Sequence, residues 1–289
     1  MLYFRQDRSA TAARMARLPA WRRQIVATDA GSIDVLDIGK DAPRAILLIT
    51  HGLGSLESFQ EIAEALEARH PARRIIAYSR PGRGSSPASP GIEADDHLTH
   101  ESLRVLPAIL RALGITSADI VAHSDGVAVA MLFACAHPSM VERIVALSPQ
   151  VHADRQFVAT TGDLLADSRF SDDIARLEAE HLDPDLAVRC WAAAREALAA
   201  RPDHVLARLA TLGAPLLLVQ GLNDEYGAHQ QMSALSAHVR GPMKWVILRN
   251  DGHFPQHDST EVVLDLICGH LEDIEWKSGS GRIRTRAAR

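Results

Sequence analysis

Cysteine is scarce: Cys135, Cys190 and Cys268 are the three in 289 residues, they lie far apart, and no C-x-x-C occurs. So small and scattered a set speaks against a disulfide framework or a thiolate zinc site, and it fits a reducing cytoplasm. Histidines are numerous, 14 in all, yet none combines an H-x-x-x-H or H-x-H spacing with acidic partners on a convincing helix face. No metal and no cofactor are therefore expected. Long apolar runs are also missing. Nothing approaches the roughly 18–20 apolar residues of a membrane span, and the start M-L-Y-F-R-Q-D-R-S-A-T-A-A-R-M-A-R lacks the apolar core of a signal peptide. The expectation is a soluble cytoplasmic protein with no membrane partner.

What is present is a hydrophobic content of 47% with 23% charged residues, enough for one large α/β domain with an insertion or for two small domains. The net charge of −5 conceals an asymmetry. Residues 1–23 hold six arginines against Asp7, and 277–289 hold Lys277, Arg282, Arg284, Arg286 and Arg289 with no acid. Taking those 11 from the 31 basic residues, and Asp7 from the 36 acidic ones, leaves a body with 20 basic and 35 acidic. An acidic body disfavours nucleic acid as a partner. The final S-G-S-G-R-I-R-T-R-A-A-R reads as flexible surplus sequence, with a basic arm as the other reading.

Along the chain, 24–28 and 32–38 alternate as two strands joined around Ala30 and Gly31. The run 45–50 is continuously apolar, as a parallel strand buried on both faces requires. It ends in His51-Gly52-Leu53-Gly54-Ser55, where two glycines either turn backbone N–H groups toward a ligand or simply make a tight turn. A helix over 58–69 with Phe59, Ile62, Ala63 and Leu66 on one face precedes a strand at 74–78. The loop S-R-P-G-R-G-S-S-P that follows has no Lys-Ser/Thr pair and opens no helix, which argues against a phosphate loop. A helix capped by Asp95 or Asp96 carries Leu103, Leu106, Ile109, Leu110 and Leu113 to Gly114. Another buried strand, 143–147, makes the order β, α, β, α, which predicts a parallel sheet covered on both faces.

From 150 to 212 no strand is evident, only helical sequence over 173–181, then from Asp183 as cap with Pro184 at the first position to Ala200, then 203–211. Strands resume at 215–220 and 244–249 around a helix near 229–239, and a helix over 260–271 closes the series. The predicted organisation is a basic N-terminal segment 1–23, a core of 24–149 and 213–272, a helical lid 150–212 and a flexible basic tail 273–289.

The stretch 119–136, D-I-V-A-H-S-D-G-V-A-V-A-M-L-F-A-C-A, runs from an apolar strand through Ser124 into a small-residue helix with no spacer. A-H-S-D-G is one residue from the G-x-S-x-G nucleophile elbow, whose small residues spare the neighbouring backbone a collision. A serine capping a helix is the other reading. The ends of the other strands decide between them, because open parallel sheets hold ligands beyond the strands' carboxyl ends. After 215–220 comes G-L-N-D-E-Y-G, and after 244–249 comes N-D-G-H-F-P. A serine, an acid and a histidine thus occur in the order Ser, Asp, His, each at a different strand end.

Over about 24–272 the chain resembles the α/β-hydrolase fold superfamily, as a serine hydrolase with a helical lid. The resemblance rests on T-H-G-L-G-S, Y-S-R-P-G-R-G-S-S, A-H-S-D-G, Q-G-L-N-D-E-Y-G and D-G-H-F-P in sequence. It implies an α/β-hydrolase fold, a mostly parallel twisted sheet of about eight strands flanked by helices, with a helical cap inserted after the sixth strand. It also implies Ser124 as nucleophile, His253 as general base and acid, Asp224 orienting His253, and the backbone N–H groups of Leu53 and Asp125 as oxyanion donors. Ala122 and Val127 depart from the family's glycines and crowd the elbow, and the Asp125 side chain is expected to point away and help the helix start.

Glu225 could replace Asp224, and His257 is expected to begin or precede the last helix. His51, Gly52, His123 and Trp191 are candidate substrate contacts, with structural packing as the other reading; Phe157 and Tyr226 are less determined. A serine at the elbow argues for acyl transfer: a carboxylic ester, thioester or lactone cleaved through an acyl-enzyme, with a small-molecule acyl substrate. An acyltransferase or C–C bond hydrolase with the same three residues remains open, as does a ligand-binding protein on the same scaffold. The oligomeric state has no sequence signal.

Overall fold

The computed structural model describes residues 23–40, 42–89, 97–152, 177–226, 228–272 and 282–286. Its apolar runs become strands whose alternate side chains enter two different cores. Leu47 and Ile49 join Ile120, Ala122, Ile144 and Leu218 in one apolar layer, while Ile46 and Leu48 join Val121, Val145, Leu217 and Val219 in the other. Side chains of an extended chain alternate between faces, so a strand covered on both sides needs apolar residues at every position.

The strands are β1 (Arg23–Thr28), β2 (Gly31–Ile38), β3 (Arg44–Ile49), β4 (Arg73–Tyr78), β5 (Ala118–His123), β6 (Val141–Leu147), β7 (Leu216–Gly221), β8 (Met243–Leu248) and β9 (Arg282–Arg286). They form one sheet in the order β1-β2-β4-β3-β5-β6-β7-β8-β9. Pairing is parallel from β4 through β8 and antiparallel at both margins. Helix α1 (Gln60–Arg69) and the closing helix place Ile62, Leu66, Val263 and Ile267 on one face of the sheet. The other face is covered by the helices before and after β5, through Leu106, Ile109, Val129 and Phe133. The architecture is the mostly parallel, helix-flanked sheet expected from the sequence.

Two details differ. Residues 282–286 of the tail, read from the sequence as flexible, form β9 against β8 with Ile283 opposite Val246. R-I-R-T-R alternates with period two and carries β-branched residues at every second place, which suits an edge strand. The second difference lies before β5, where the helix comes in three continuous pieces: α2 (His97–His100), a π-helical turn Glu101–Val105 and α3 (Leu106–Ala112). The wider turn shifts the helical phase, so Leu103 is 41% exposed while Leu106, Ile109 and Leu110 stay buried. Gly114, at φ 68°, follows α3 as expected, whereas the caps assigned to Asp95 or Asp96 lie outside the described residues.

Between β6 and β7 the described chain is helical. Residues 177–180 lead to α5 (Pro184–Ala200), where Asp183 Oδ1 accepts from the Leu186 N–H at 2.8 Å, and then to α6 (Asp203–Leu206). Phe157 and the first part of the predicted 173–181 helix lie outside the described residues.

Candidate active site

Ser124 stands between β5 and α4 (Gly126–Ala136) with φ 58°, a left-handed conformation that side-chain-bearing residues seldom adopt. Hydrogen bonds fix it there: its N–H donates to Leu147 O (3.0 Å), and its carbonyl accepts from Val127 (3.1 Å) and Gln150 (3.0 Å). The turn is tight because Gly126 passes over β3; a Cβ there would lie 2.4 Å from Thr50 O. Ala122, which stands where the G-x-S-x-G elbow has glycine, is paired in register with Ala146 on one side and Ile49 on the other, and its methyl is fully buried in the core. Val127 is fully buried in the core, its bulk absorbed away from the turn.

Ser124 Oγ lies 2.9 Å from His253 Nε2, and His253 Nδ1 lies 2.9 Å from Asp224 Oδ2. His253 follows β8 and Asp224 follows β7, so the convergence is a product of neighbouring parallel strands ending on one side of the sheet. Asp224 is held in turn: Gln220 Nε2 donates to Oδ2 at 2.8 Å and the Tyr226 N–H donates to Oδ1 at 2.9 Å. Burial pushes the Asp224 carboxyl up, but the hydrogen bond and charge of His253, with those two donors, outweigh it and hold the group below its usual range. An ionised Asp224 fixes the proton on His253 Nδ1 and leaves Nε2 to accept from the serine hydroxyl. Glu225 makes no such contact, and His257 lies in the short helix Pro255–Asp258, with Nδ1 3.8 Å from Glu61.

His123 is wholly buried beneath this chain. Its Nε2 donates to the carbonyl of His253 at 2.8 Å and its Nδ1 accepts from Gln256 Nε2 at 3.3 Å, so it is neutral with the proton on Nε2. Burial, then the neighbouring His253, pushes its pKa well below the ordinary histidine value, which agrees with that tautomer. His51 packs edge-on against His123 and Phe254, each at 5.3 Å. Trp191, on α5, closes over the glycine turn: a Cβ on Gly52 would come 2.3 Å from its Cδ1. The Arg195 guanidinium lies 4.9 Å from the Trp191 ring and 5.8 Å from that of Tyr226, which itself sits 4.5 Å from the His253 ring. Burial lowers the Arg195 pKa to about 10.

The Asp125 side chain corrects one expectation. It forms no cap hydrogen bond with α4; its Oδ1 accepts instead from Arg80 Nη1 at 2.9 Å. Arg80 is completely buried and also bonds both oxygens of Glu101 through Nε, at 3.0 and 2.9 Å. Burial opposes its charge, but Asp125 and Glu101 more than compensate and raise its pKa. Beside it, Arg83 Nε donates to Gly52 O and its Nη1 to Pro81 O, both at 2.9 Å. His181 accepts from the Gly84 N–H at 2.7 Å and donates through Nε2 to Leu53 O at 3.1 Å. Sequence reasoning missed Arg80, Arg83, Glu101 and His181. The available signal was two arginines inside a glycine turn between a buried strand and the next helix.

Among the described residues, no group of three or more His, Cys, Asp or Glu side chains could hold a metal ion. No described helix is long and apolar enough to cross a membrane. A hydroxyl bonded to an imidazole that is bonded to a buried carboxylate, on the strand ends of such a sheet, is the arrangement of a hydrolase. Residues 46–266 match the alpha/beta hydrolase family, and the chain belongs to it.

The sn-1-specific diacylglycerol lipase ABHD11 of Xenopus tropicalis is 35% identical over 120 residues, which cover 39% of this chain and 35% of that protein. The chain thus spans well under two thirds of that curated relative. Among solved structures, 2-hydroxy-6-oxo-6-phenylhexa-2,4-dienoate hydrolase from Rhodococcus sp. strain RHA1 is similar at TM-score 0.71 and 17% identity, covering 87% of this chain and 98% of its own. Carboxylesterase CesB from Bacillus subtilis is similar at TM-score 0.64 and 23% identity, covering 86% and 90%. These two likenesses concern the fold.

Proposed function

We propose that the protein is a serine hydrolase cleaving a small carboxylic ester, thioester or lactone through an acyl-enzyme on Ser124. The carrying observation is the continuous chain Ser124 Oγ, His253 Nε2, His253 Nδ1, Asp224 Oδ2, with both links at 2.9 Å. A serine hydroxyl is a poor nucleophile at neutral pH unless a base takes its proton, and an imidazole oriented by a carboxylate does so. In the proposed reaction Ser124 Oγ bonds to the acyl carbon as its proton passes to His253 Nε2. Collapse of the tetrahedral adduct breaks the bond to the leaving oxygen or sulfur, which takes that proton. Water then attacks the acyl-enzyme, giving its proton to Nε2; the acid departs and Ser124 recovers the proton.

Charge on the adduct's oxygen is taken by the N–H groups of Leu53 and Asp125, the second at the start of α4, where the helix field favours negative charge. The Asp125 carboxylate does not oppose this, because Arg80 pairs with it at 2.9 Å. An ester-cleaving activity also agrees with the names of the relatives, a diacylglycerol lipase and a carboxylesterase.

The test is labelling by a fluorophosphonate probe coupled to a chain-length panel of acyl esters, with Ser124→Ala as control. Labelling and ester turnover that both vanish in Ser124→Ala support the reading; no labelling of the parent protein sinks it. Product analysis with added alcohols, amines or thiols separates hydrolysis from acyl transfer. Stoichiometric ligand retention without turnover would place the protein among binding proteins instead.

A further inference from the structure

We infer that Arg83 is a positioning residue for the oxyanion donor: by holding the carbonyl of the Gly52–Leu53 peptide, it aims and polarises the N–H that Leu53 contributes from that same peptide. This rests on the acyl-enzyme reading above and adds the device that fixes one of its two donors.

A trans peptide is planar, with C=O and N–H pointing in opposite directions, so whatever anchors the oxygen sets the direction of the hydrogen. Arg83 Nε anchors Gly52 O at 2.9 Å. The next peptide is anchored as well, since His181 Nε2 donates to Leu53 O at 3.1 Å and the Gly54 N–H donates to His51 O at 3.0 Å. Leu53 therefore sits between two peptide planes that cannot rotate independently. Both anchors trace to one loop: Arg83 also bonds Pro81 O at 2.9 Å, and His181 is held by the Gly84 N–H at 2.7 Å. The loop adopts its shape through Gly82 and Gly84, at φ 75° and 54°.

The charge of Arg83 points the same way. Its side chain is 1% exposed, and among the described residues no carboxylate forms an ion pair with it. Burying a cation without a paired anion lowers stability, and an apolar residue would fill the space at less cost. A guanidinium on the carbonyl side, however, draws electron density from the peptide and strengthens its N–H as a donor. It also adds a fixed positive charge one peptide away from where negative charge develops.

The experiment measures Arg83→Met and Arg83→Lys in the full chain, with active sites counted by fluorophosphonate. The readouts are kcat per titrated serine, KM for an acyl ester, and the inhibition constant of a trifluoromethyl ketone, whose carbon bonds to Ser124 and whose oxygen becomes an oxyanion. For Arg83→Met, kcat should fall on the order of 10- to 100-fold with KM nearly unchanged, and the ketone should weaken in parallel. Arg83→Lys keeps the charge but replaces the rigid fork, whose Nε and Nη1 each hold one carbonyl, with a single freely rotating ammonium, so it should fall between Met and the parent. If Arg83→Met does not fold, Arg83→Lys decides on the same readouts. A folded variant whose kcat per labelled serine and ketone affinity stay within twofold of the parent overturns the inference while the acyl-enzyme reading stands. A parent that is not labelled removes both.

Discussion

Arg80 reaches from the loop after β4 to the carboxylate of Asp125, the residue that follows Ser124, at 2.9 Å and with neither side chain open to water. The same guanidinium holds Glu101 in the π-helical turn. One cation thus ties the serine turn to the helix that precedes β5, which also meets α4 where Ser102 Oγ donates to Val129 O at 3.0 Å.

Removing that cation leaves two buried carboxylates uncompensated. Arg80→Met should cost about 3–5 kcal/mol, the usual loss when one partner of a buried pair is deleted. Adding Glu101→Gln to Arg80→Met should recover part of it, since one unpaired charge then disappears. Urea midpoints of the parent, single and double variants measure this; equal losses in single and double would contradict it.

At φ 58° the residue at position 124 carries backbone strain that a glycine does not. Ser124→Gly and Ser124→Ala both lack the hydroxyl and should both be inactive toward esters. Ser124→Gly should nonetheless be the more stable by about 1 kcal/mol, because alanine pays the left-handed penalty. Thermal unfolding of the two variants side by side reads the difference.

Gly126→Ala places a methyl 2.4 Å from Thr50 O and 2.9 Å from Ile49 O, backbone atoms of the sheet that cannot step aside. A loss of about 2–3 kcal/mol or more is expected, as for other severe core overpacking. Gly213→Ala meets nothing within 4 Å and should stay within about 0.5 kcal/mol of the parent. Chemical denaturation of both separates a steric requirement from a general intolerance of side chains.

Two groups place acid sensitivity in separate windows. His123 is held neutral, its pKa depressed by burial and by His253. The unfolded chain binds that proton first, so stability is full above about pH 6.5 and declines below it. Asp224 is held ionised, its pKa depressed, so its contribution is full above about pH 3.9 and is lost as pH falls further through the folded value. Melting temperatures from pH 8 to 3 should show a shallower decline between about pH 6.5 and 4 in His123→Gln, and a shallower decline below about pH 4 in Asp224→Asn. Identical profiles for parent and variants would refute the assignment.

The strands of the sheet were legible because a chain buried on both faces must be apolar at every position, and 45–49, 120–122, 143–147 and 216–219 are nearly so. The meeting of Ser124, Asp224 and His253 was legible because glycine-bearing turns mark strand ends, and strand ends of a parallel sheet share one side. Arg80, Arg83, Glu101 and His181 were not, because their pairings join segments 20 to 130 residues apart and a charged loop reads by default as solvated. The π-helical turn left no separate mark: Leu103 keeps ordinary helical spacing to Leu106 and Leu110, and only the backbone shows the change of phase.

That turn also makes the winding of its helix matter. Wound as a regular α-helix with no residue removed, Glu101–Val105 would rotate everything before it by roughly 100° around the axis. Glu101, which accepts from Tyr78 OH at 2.7 Å and from Arg80, would swing off both partners as Leu103 turned inward. The width of one turn thereby sets whether the guanidinium that holds Asp125 also meets a second carboxylate.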